Sequence, residues 1–541
     1  MNRDLLLEIG VEEIPSAYMT QTLENLRSLA VKSLAENRLS HGEIKTMGTP
    51  RRLVLLIPSL AERQSDAVVQ NRGPRKSAAF DQSGNPTKAG LGFARSQGFD
   101  ISQLTTIEAD GEYVAAVRRE EGQAAAQILP ELLTEIIQAI PFPRSMRWGY
   151  YQTRFARPIR WLLCLLDSEV IPLTIENIDS SRITYGHRFL SQGPLAVKDV
   201  EDYFAQLEAH YVILDQDRRS QMIWRQVEQA AAAAGGKPME NAELLEEVNF
   251  LVEYPTAFFG GFSPAYLDVP AEVLTTSMIE HQRYFPVFDR EGQLLPGFIG
   301  VRNGTDFDLE TVIAGNQRVL KARLEDALFF WREDTKKPIQ DFVPGLANVM
   351  FHERLGSVLD KVGRLQALAV FCGVEAGLST EQKLDRAAFL CKADLLSNMV
   401  YEFPELQGVM GRYYAVLSQE DQEVADAILE HYLPRFAGDK IPATQTGLGI
   451  SLDPYALRRQ AIGLVNIILE ARLKLDLTRL LDQAYQGFKA FKLENTSAQT
   501  TADLMDFIRQ RMRGVLLEKG YSYDVIDAVL AAPNPDLYDI L

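Results

Sequence analysis

The stretch of sequence that decides the fold runs from Leu251 to Trp331. It contains four patterned segments: LVEYPTAFFGGF (251–262), VPAEVLTTSMIEHQRYFPVFD (269–289), GFIGVRNG (297–304) and GNQRVLKARLEDALFFW (315–331). Pro270 predicts the start of a helix, because proline at the first helical position gives up no needed N–H. Two apolar runs, Tyr284–Phe288 and Phe298–Val301, flank a glycine turn and predict a β-hairpin. Leucines at helical spacing in the last segment predict a second helix.

Charged residues distinguish this αββα unit from one that only buries an apolar stripe. The first predicted helix carries Glu280 and His281 among few apolar residues and leads into Arg283, and the second helix carries Arg318 and Lys321. Two interpretations remain open: a packed unit with a charged outer face, or a surface that meets a polyanion. The three cations are therefore candidate RNA contacts.

The composition bounds the class of protein. A length of 541 residues predicts roughly two to four domains, and an apolar content of 46% with 24% charged residues is typical of globular proteins. No apolar run reaches the length of about 18 residues that a membrane span requires, and Met1–Asp4 leads into a strand without a signal segment. Cys164, Cys372 and Cys391 lie far apart among apolar neighbours and are expected to be buried thiols. We therefore expect a cytoplasmic protein.

The net charge of −17 argues against a general nucleic-acid binder. It does not exclude local basic patches. An acidic surface around such patches would repel the RNA backbone and restrict RNA binding to them. The first such patch lies within a predicted strand–helix–strand pattern made of LLLEIGV, a helix from about Ser16 to Asn37, and RRLVLLI. Arg51 and Arg52 precede the second strand after a turn, and we expect them to be exposed. They are candidate RNA contacts or ordinary surface arginines.

The segment NRGPRKSAAFDQSGNPTKAGLGFARSQGF (71–99) is a second basic patch and is predicted to be a glycine-rich loop. Against the single acid Asp81 it carries Arg72, Arg75, Lys76, Lys88 and Arg95. A basic loop with interleaved aromatic residues can follow phosphates and stack bases. A solvated loop has the same composition, so both interpretations stay open.

A third basic patch, PFPRSMRWGYYQTRFARPIR (141–160), contains no acid. Its arginines are Arg144, Arg147, Arg154, Arg157 and Arg160. Guanidinium groups bind phosphate and stack on bases, although these arginines could instead pair with buried carboxylates from another segment. The run Ile159–Leu166 predicts a buried strand, and His187 is expected to be a hydrogen-bonded structural residue. Further along, residues 197–250 predict two helices, and residues 335–541 are predicted to be helical.

Long motifs run through the chain: LLLEIGVEEIPSAYM (5–19), EYPTAFFGGFSPAYLDVPAEVLTTSMIEHQRYFPVFD (253–289), GNQRVLKARLEDALFFWREDT (315–335), FHERLGSVLDKV (351–362) and DPYALRRQAIGLVNIILE (453–470). Together they resemble the β subunits of bacterial heterotetrameric glycyl-tRNA synthetases over nearly the whole chain. The resemblance implies a tRNA-binding subunit that supports the ATP-dependent attachment of glycine to tRNA(Gly). The implied partners are tRNA(Gly) and an α subunit in an α2β2 heterotetramer, with no membrane.

The resemblance also implies a multidomain fold. Residues 1–335 would form an α+β module like the B3/B4 editing-type module of the phenylalanyl-tRNA synthetase β subunit, with a helical insertion. Residues 336–470 would form an all-α HD-like domain. Residues 471–541 would form a helical region that leads toward a C-terminal anticodon-binding domain, which we expect to be absent from this chain.

Catalytic motifs are missing from the sequence. It contains no Walker loop, no HIGH or KMSKS signature, no recognisable class II motifs, no G-x-S-x-G elbow and no H-E-x-x-H. The resemblance accordingly implies that ATP and Mg²⁺ are used by the α subunit, with no catalytic residue and no cofactor on this chain.

The HD-like region offers His352, Asp394 and Asp439 as counterparts of metal ligands, but Ala393 replaces the histidine of the His-Asp pair. Losing an imidazole should weaken metal binding, so we expect this degenerate position to be empty. The alternatives are an HD-type metal-dependent phosphohydrolase, an editing hydrolase or a general RNA-binding scaffold. Glycine is the smallest amino acid, and a size-based editing sieve would have little to reject.

Overall fold

The computed structural model describes residues 2–81, 84–108, 110–435, 439–450, 457–491, 493–531 and 536–539. The chain divides into two compact units, Met1–Gly261 with Arg283–Gly315 and Phe262–Gln282 with Asn316–Leu541. The hairpin of the stretch 251–331 therefore belongs to the first unit and most of its helical residues to the second. The domain boundaries proposed at residues 335 and 470 remain predictions.

The strands of the described chain are β1 (Asn2–Val11), β2 (Lys45–Thr49), β3 (Arg52–Ala61), β4 (Ala67–Arg75), β5 (Thr105–Glu108), β6 (Glu112–Glu120), β7 (Ile159–Leu166), β8 (Glu169–Val170), β9 (Thr174–Ile175), β10 (Ile178–Ser181), β11 (Ile183–Tyr185), β12 (Pro194–Ala196), β13 (Lys237–Pro238), β14 (Pro255–Gly261), β15 (Phe285–Phe288), β16 (Leu294–Asn303), β17 (Met350–His352) and β18 (Gly356–Ser357).

Its α-helices are α1 (Ser16–Glu36), α2 (Lys76–Ala79), α3 (Lys88–Gln97), α4 (Ala125–Ala139), α5 (Val200–Ala209), α6 (Gln216–Ala233), α7 (Ala242–Asn249), α8 (Ala271–Thr276), α9 (Leu309–Asp334), α10 (Val358–Ala376), α11 (Glu381–Leu390), α12 (Asn398–Glu402), α13 (Val409–Leu417), α14 (Gln422–Glu430), α15 (Gln445–Ile450), α16 (Leu457–Glu470), α17 (Leu477–Gln486), α18 (Ser497–Glu518) and α19 (Tyr523–Leu530).

The main sheet of the first unit has seven strands in the order β2-β3-β1-β7-β10-β9, with β8 paired to β7. The central strand β1 is buried on both faces, which explains why its sequence is nearly continuously apolar. Leu5, Leu7 and Ile9 join the core that includes buried residues of α1 and α4. Leu6 packs on the opposite face with Tyr203 of α5. The predicted strand–helix–strand start and the buried strand Ile159–Leu166 are confirmed.

Residues 67–120 form a separate three-stranded sheet in the order β4-β6-β5, together with α2 and α3. The prediction of a glycine-rich loop over residues 71–99 is wrong. Two of its glycines serve close packing, because a Cβ at Gly73 would lie 2.6 Å from the Phe93 ring and one at Gly90 only 2.5 Å from the Ala79 carbonyl oxygen. Thr87 caps α3 by accepting a hydrogen bond from the Gly90 N–H at 3.3 Å. We call residues 67–120 the inserted subdomain.

The predicted hairpin is confirmed as β15 and β16, which pair in the four-stranded sheet β13-β15-β16-β14. Residues 197–250 contain three helices, α5 to α7, where the sequence predicted two. The third helix is capped by Asn241, whose side chain accepts a hydrogen bond from the Leu244 N–H at 2.9 Å. This cap restarts helical structure after the Gly235–Gly236 stop.

The described part of the second unit is helical, as predicted, apart from the short β17–β18 pair. Helix α8 follows Pro270, which occupies the N-cap, and one π-helical turn, Ser277–His281, continues it. The three cysteines are free and buried. Among the described residues, no helix is both long and apolar enough to cross a membrane. The predicted motif and helix at residues 453–456 and 534–535 lie outside the described residues.

Candidate nucleic-acid interface

Arg52 is fully buried, so its predicted exposure is wrong. Its Nη1 donates to Glu8 Oε1 at 3.0 Å and to the Tyr185 carbonyl at 2.9 Å. Its Nε and Nη2 donate to Glu253 Oε1 at 3.1 Å and 3.0 Å. Arg52 pairs with Gly10 in the β1–β3 register, which places its side chain on the sheet face that carries Glu8. Because its donors are occupied inside the core, Arg52 is removed from the candidate RNA contacts.

The neighbouring charges belong to the same buried cluster. Burial by itself raises the pKa of Glu253, but Arg52 and Arg51 outweigh it and hold the pKa below its usual value. Arg51 lies 3.8 Å from Glu253 and leaves 15% of its side chain exposed. His187 Nε2 donates a 2.9 Å hydrogen bond to Asn303 Oδ1, which confirms its structural role. Arg51 therefore presents little surface to a ligand.

The arginine loop, which we define as residues 140–158, connects α4 to β7 and is fixed at its base. Met146 and Phe155 form an antiparallel bridge with backbone hydrogen bonds of 2.8 Å and 3.1 Å. The Phe155 ring is buried and contacts Phe142 edge-on at 4.7 Å. Tyr150, at the outer end of the loop, is 100% exposed. The buried Phe155 thus anchors the loop, and the loop exposes the Tyr150 side chain to solvent.

The arginines of this segment differ in availability. Arg144 and Arg147 are exposed, and within the described chain neither has an ion-pair partner. Arg154 folds back, with Nε and Nη2 each donating to Ser145 at 3.0 Å. Arg157 is half-buried and donates to the Ala156 carbonyl at 3.1 Å. Only the first two keep their full donor set for a phosphate.

Arg160 belongs to a surface network that the local sequence did not reveal. Its Nε lies 3.4 Å from Glu12, which also lies 3.5 Å from Arg188. Arg188 in turn lies 3.5 Å from Glu13. The acids that offset Arg160 therefore come from the N-terminal motif, about 150 residues earlier by sequence numbering.

The inserted subdomain carries both paired and free cations. Arg72 lies 3.5 Å from Asp110, and Lys76 lies 3.2 Å from Glu112. These acids come from the β5–β6 turn and the first residue of β6, so the excess of cations over residues 71–99 is partly neutralised by a neighbouring segment. Lys88 and Arg95 are exposed on α3, with no ion-pair partner anywhere in the described ranges.

The remaining predicted cations lie within the stretch 251–331. Arg283 adopts a positive φ of 57° and donates to Glu247 at 2.9 Å. Lys321 lies 3.6 Å from Glu325, one helical turn along α9. Arg318 is exposed on α9 and forms no ion pair with a described residue. Arg318 is therefore the cation of this set with a free guanidinium.

The structure does not assemble the three HD-like positions into a metal-ligand set. His352 is exposed on β17, and Asp439 accepts a 3.0 Å bond from Arg435. Asp394 is buried and accepts hydrogen bonds from the N–H groups of Gly408 at 2.6 Å and Gly411 at 3.1 Å. Within the described ranges, no group of three His, Cys, Asp or Glu side chains is placed to hold a metal.

Burial raises the pKa of Asp394 to about 6, although its backbone hydrogen bonds oppose this shift. A carboxylate that accepts hydrogen bonds from the N–H groups of Gly408 and Gly411 holds the N-terminus of α13 in place. The structure thus gives Asp394 a positioning role in the fold of the second unit.

A cleft of about 900 Å³ in the first unit was not foreseen from the sequence. It is lined by α1, β2, the start of α6 and α7, and its acids outnumber its bases: Glu24, Glu43, Asp215, Asp217 and Glu246 against Arg27 and Lys45. An acidic cleft repels phosphate. We therefore place no RNA contact there.

The chain is similar to known proteins along its whole length. The family model described as "Glycyl-tRNA synthetase beta subunit" matches residues 5–452 and 449–531. The chain is 60% identical to the "Glycine--tRNA ligase beta subunit" of Syntrophomonas wolfei, over 100% of this chain and 82% of the relative. Relatives with the same name from Desulforamulus reducens and Moorella thermoacetica are 47% and 48% identical, over 100% and 99% of this chain and 81% of each relative.

Proposed function

This chain belongs to the family of glycyl-tRNA synthetase β subunits, and from that premise we propose that it binds tRNA for a catalytic site on a separate α subunit. The ATP-dependent attachment of glycine to tRNA(Gly) is then a reaction of the assembled ligase. The observation that carries the proposal is the arginine loop, where Arg144 and Arg147 precede the exposed Tyr150 in sequence and have no acidic partner among the described residues. On a chain of net charge −17 such a site confines RNA to a small area.

The proposed assembly is an α2β2 heterotetramer in the cytoplasm, with ATP and Mg²⁺ bound by the α subunits. The lack of nucleotide-binding motifs in this chain supports that division of labour. The first unit corresponds to the B3/B4-like module in this proposal and the second contains the HD-like domain. We expect the HD-like domain to be catalytically silent, since Asp394 accepts hydrogen bonds from the N-terminus of α13.

The salt dependence of tRNA binding tests the proposal. Arg144→Gln and Arg147→Gln should each weaken tRNA affinity and flatten the plot of log affinity against log salt by about one unit, because each removes one phosphate contact. Arg218→Gln is the matched control, since Arg218 is exposed and pairs with Glu208 at 3.0 Å.

The wild-type chain should bind tRNA both alone and in complex with the α subunit. The proposal fails if it binds in neither form. It also fails if both loop variants fold normally and keep the wild-type salt slope, because the arginines of the loop would then make no phosphate contact.

A further inference from the structure

The sheet of the inserted subdomain has one covered face and one open face. Helix α3 covers the first: Asn71 Nδ2 donates to Gln97 Oε1 at 2.7 Å, and Gly73 lies directly under the Phe93 ring. Side chains alternate along a strand, so Gln70 and Arg72 of β4 point to the opposite face. Their partners in register there are Val117 and Ala115 of β6.

The open face displays a mixed polar surface. Val68 is 68% exposed, Gln70 and Thr105 are exposed, and Ile107 is half-buried. Val68 is the one large apolar side chain strongly exposed on this face within the described residues. A protein interface would need a broader apolar area at its centre.

A flat cation lies on this face over an aromatic ring. The Arg72 guanidinium carbon lies 3.8 Å from the centroid of the Tyr113 ring, and 51% of the Arg72 side chain is exposed. Asp110 lies 3.5 Å from Arg72 Nη1. Arg75 Nε donates to the Tyr113 hydroxyl at 3.2 Å, which fixes the ring from its far end. The Tyr113 ring and Asp110 therefore both lie against the Arg72 guanidinium and restrain it before any ligand arrives.

A guanidinium plane fixed in this way is a platform for a nucleic-acid base. Proteins that bind unpaired RNA stack its bases on aromatic rings or on arginine planes, often on an open sheet face. A base within a duplex is already stacked on both sides and cannot offer its face. Preorganising the cation lowers the entropy cost of stacking. The adjacent Arg75 is exposed and leaves its terminal nitrogens for a phosphate.

We propose that the open face of the inserted subdomain binds an unpaired nucleotide of tRNA, with its base stacked on the guanidinium of Arg72. This inference rests on the proposed tRNA-binding function and adds a base contact to it. The site lies outside the arginine loop in sequence. It binds RNA by stacking a base on the planar guanidinium of Arg72 as well as by charge.

The experiment uses the full chain in complex with the α subunit and measures binding of tRNA and of a short single-stranded RNA containing 2-aminopurine. Arg72→Lys keeps the charge and loses the plane. It should weaken binding of both RNAs roughly ten-fold, leave the salt slope unchanged and abolish the fluorescence change of 2-aminopurine. Arg72→Gln should weaken binding further and flatten the salt slope by about one unit.

Two further variants keep the test informative. Arg118→Gln removes the same charge from the α3-covered side of β6, where Arg118 pairs with Val69 in register, and should bind like wild type. Gln70→Glu adds a negative charge to the open face and should weaken binding. The inference is overturned if Arg72→Lys binds like wild type, or if Arg72→Gln and Arg118→Gln weaken binding equally. If wild type binds no tRNA, the proposed function itself fails.

Discussion

At the residue scale, the charge of Arg52 is held inside the first unit by carboxylates from two distant parts of the chain. Glu8 lies 44 residues before it and Glu253 lies 201 residues after it. Removing three charges from water is costly, and their attraction offsets the cost only with good geometry. The short contacts to Arg52 meet that requirement.

We predict that Arg52→Leu lowers the free energy of unfolding of the first unit by about 3–5 kcal/mol, because it leaves Glu8 buried without its cation and leaves Glu253 with only the longer contact to Arg51. Urea unfolding followed by a probe in the first unit measures the loss. Arg160→Leu is the control: its side chain is 60% exposed beside Glu12, and the change should cost less than about 1 kcal/mol. Equal effects of the two substitutions would contradict the assignment of Arg52 to the core.

The second prediction at this scale concerns Asp394, whose pKa is raised to about 6 from 3.8. Between these values the folded state holds a proton that the unfolded state has lost, so stability falls as pH rises from about 4 to about 6. The difference corresponds to about 3 kcal/mol at about 1.4 kcal/mol per unit. Asp394→Asn removes this slope, because asparagine does not titrate.

Urea midpoints at pH 4.5 and pH 7 measure the effect. The free energy of unfolding of Asp394→Asn minus that of the wild type should be larger at pH 7 than at pH 4.5, because only the wild type loses stability as pH rises. A constant difference between the two proteins at both pH values would show that Asp394 does not retain its proton in the fold.

At the element scale, the inserted subdomain shows how glycine can shape packed structure. Helix α3 contains Gly90 and Gly92 within one turn, yet their surroundings differ. A Cβ at Gly90 would meet the Ala79 carbonyl oxygen at 2.5 Å, whereas Gly92 has open space around its missing Cβ. A methyl group added at Gly90 would therefore clash, whereas one added at Gly92 would not.

We predict that Gly90→Ala destabilises the inserted subdomain by about 1–3 kcal/mol, because the added methyl group forces α3 away from α2. Gly92→Ala should stabilise it by up to about 1 kcal/mol, since alanine lowers the entropy of the unfolded chain without a clash. Amide hydrogen exchange of α3 in the two variants reports both changes. Faster exchange in Gly92→Ala, or unchanged exchange in Gly90→Ala, would contradict the packing described.

At the scale of the whole molecule, sequence patterns within a single segment predicted the secondary structure of that segment. The β15–β16 hairpin, the helix after Pro270 and the buried strand Ile159–Leu166 follow from local periodicity and turn chemistry. The burial of Arg52 does not, because its partners are remote in sequence. The helices of residues 71–99 were hidden by glycines that serve packing, and the pairing of Arg160 depends on Glu12. Local composition could not supply these long-range contacts.

Glycine-dependent exchange between ATP and pyrophosphate tests the central claim most directly, because it isolates amino-acid activation from tRNA binding. The assay compares this chain alone, the α subunit alone and the two together, with glycylation of tRNA measured in parallel. We predict no exchange by this chain alone, exchange wherever the α subunit is present, and efficient glycylation only when both are combined. Robust glycine-dependent exchange by the purified chain without its partner would contradict the account.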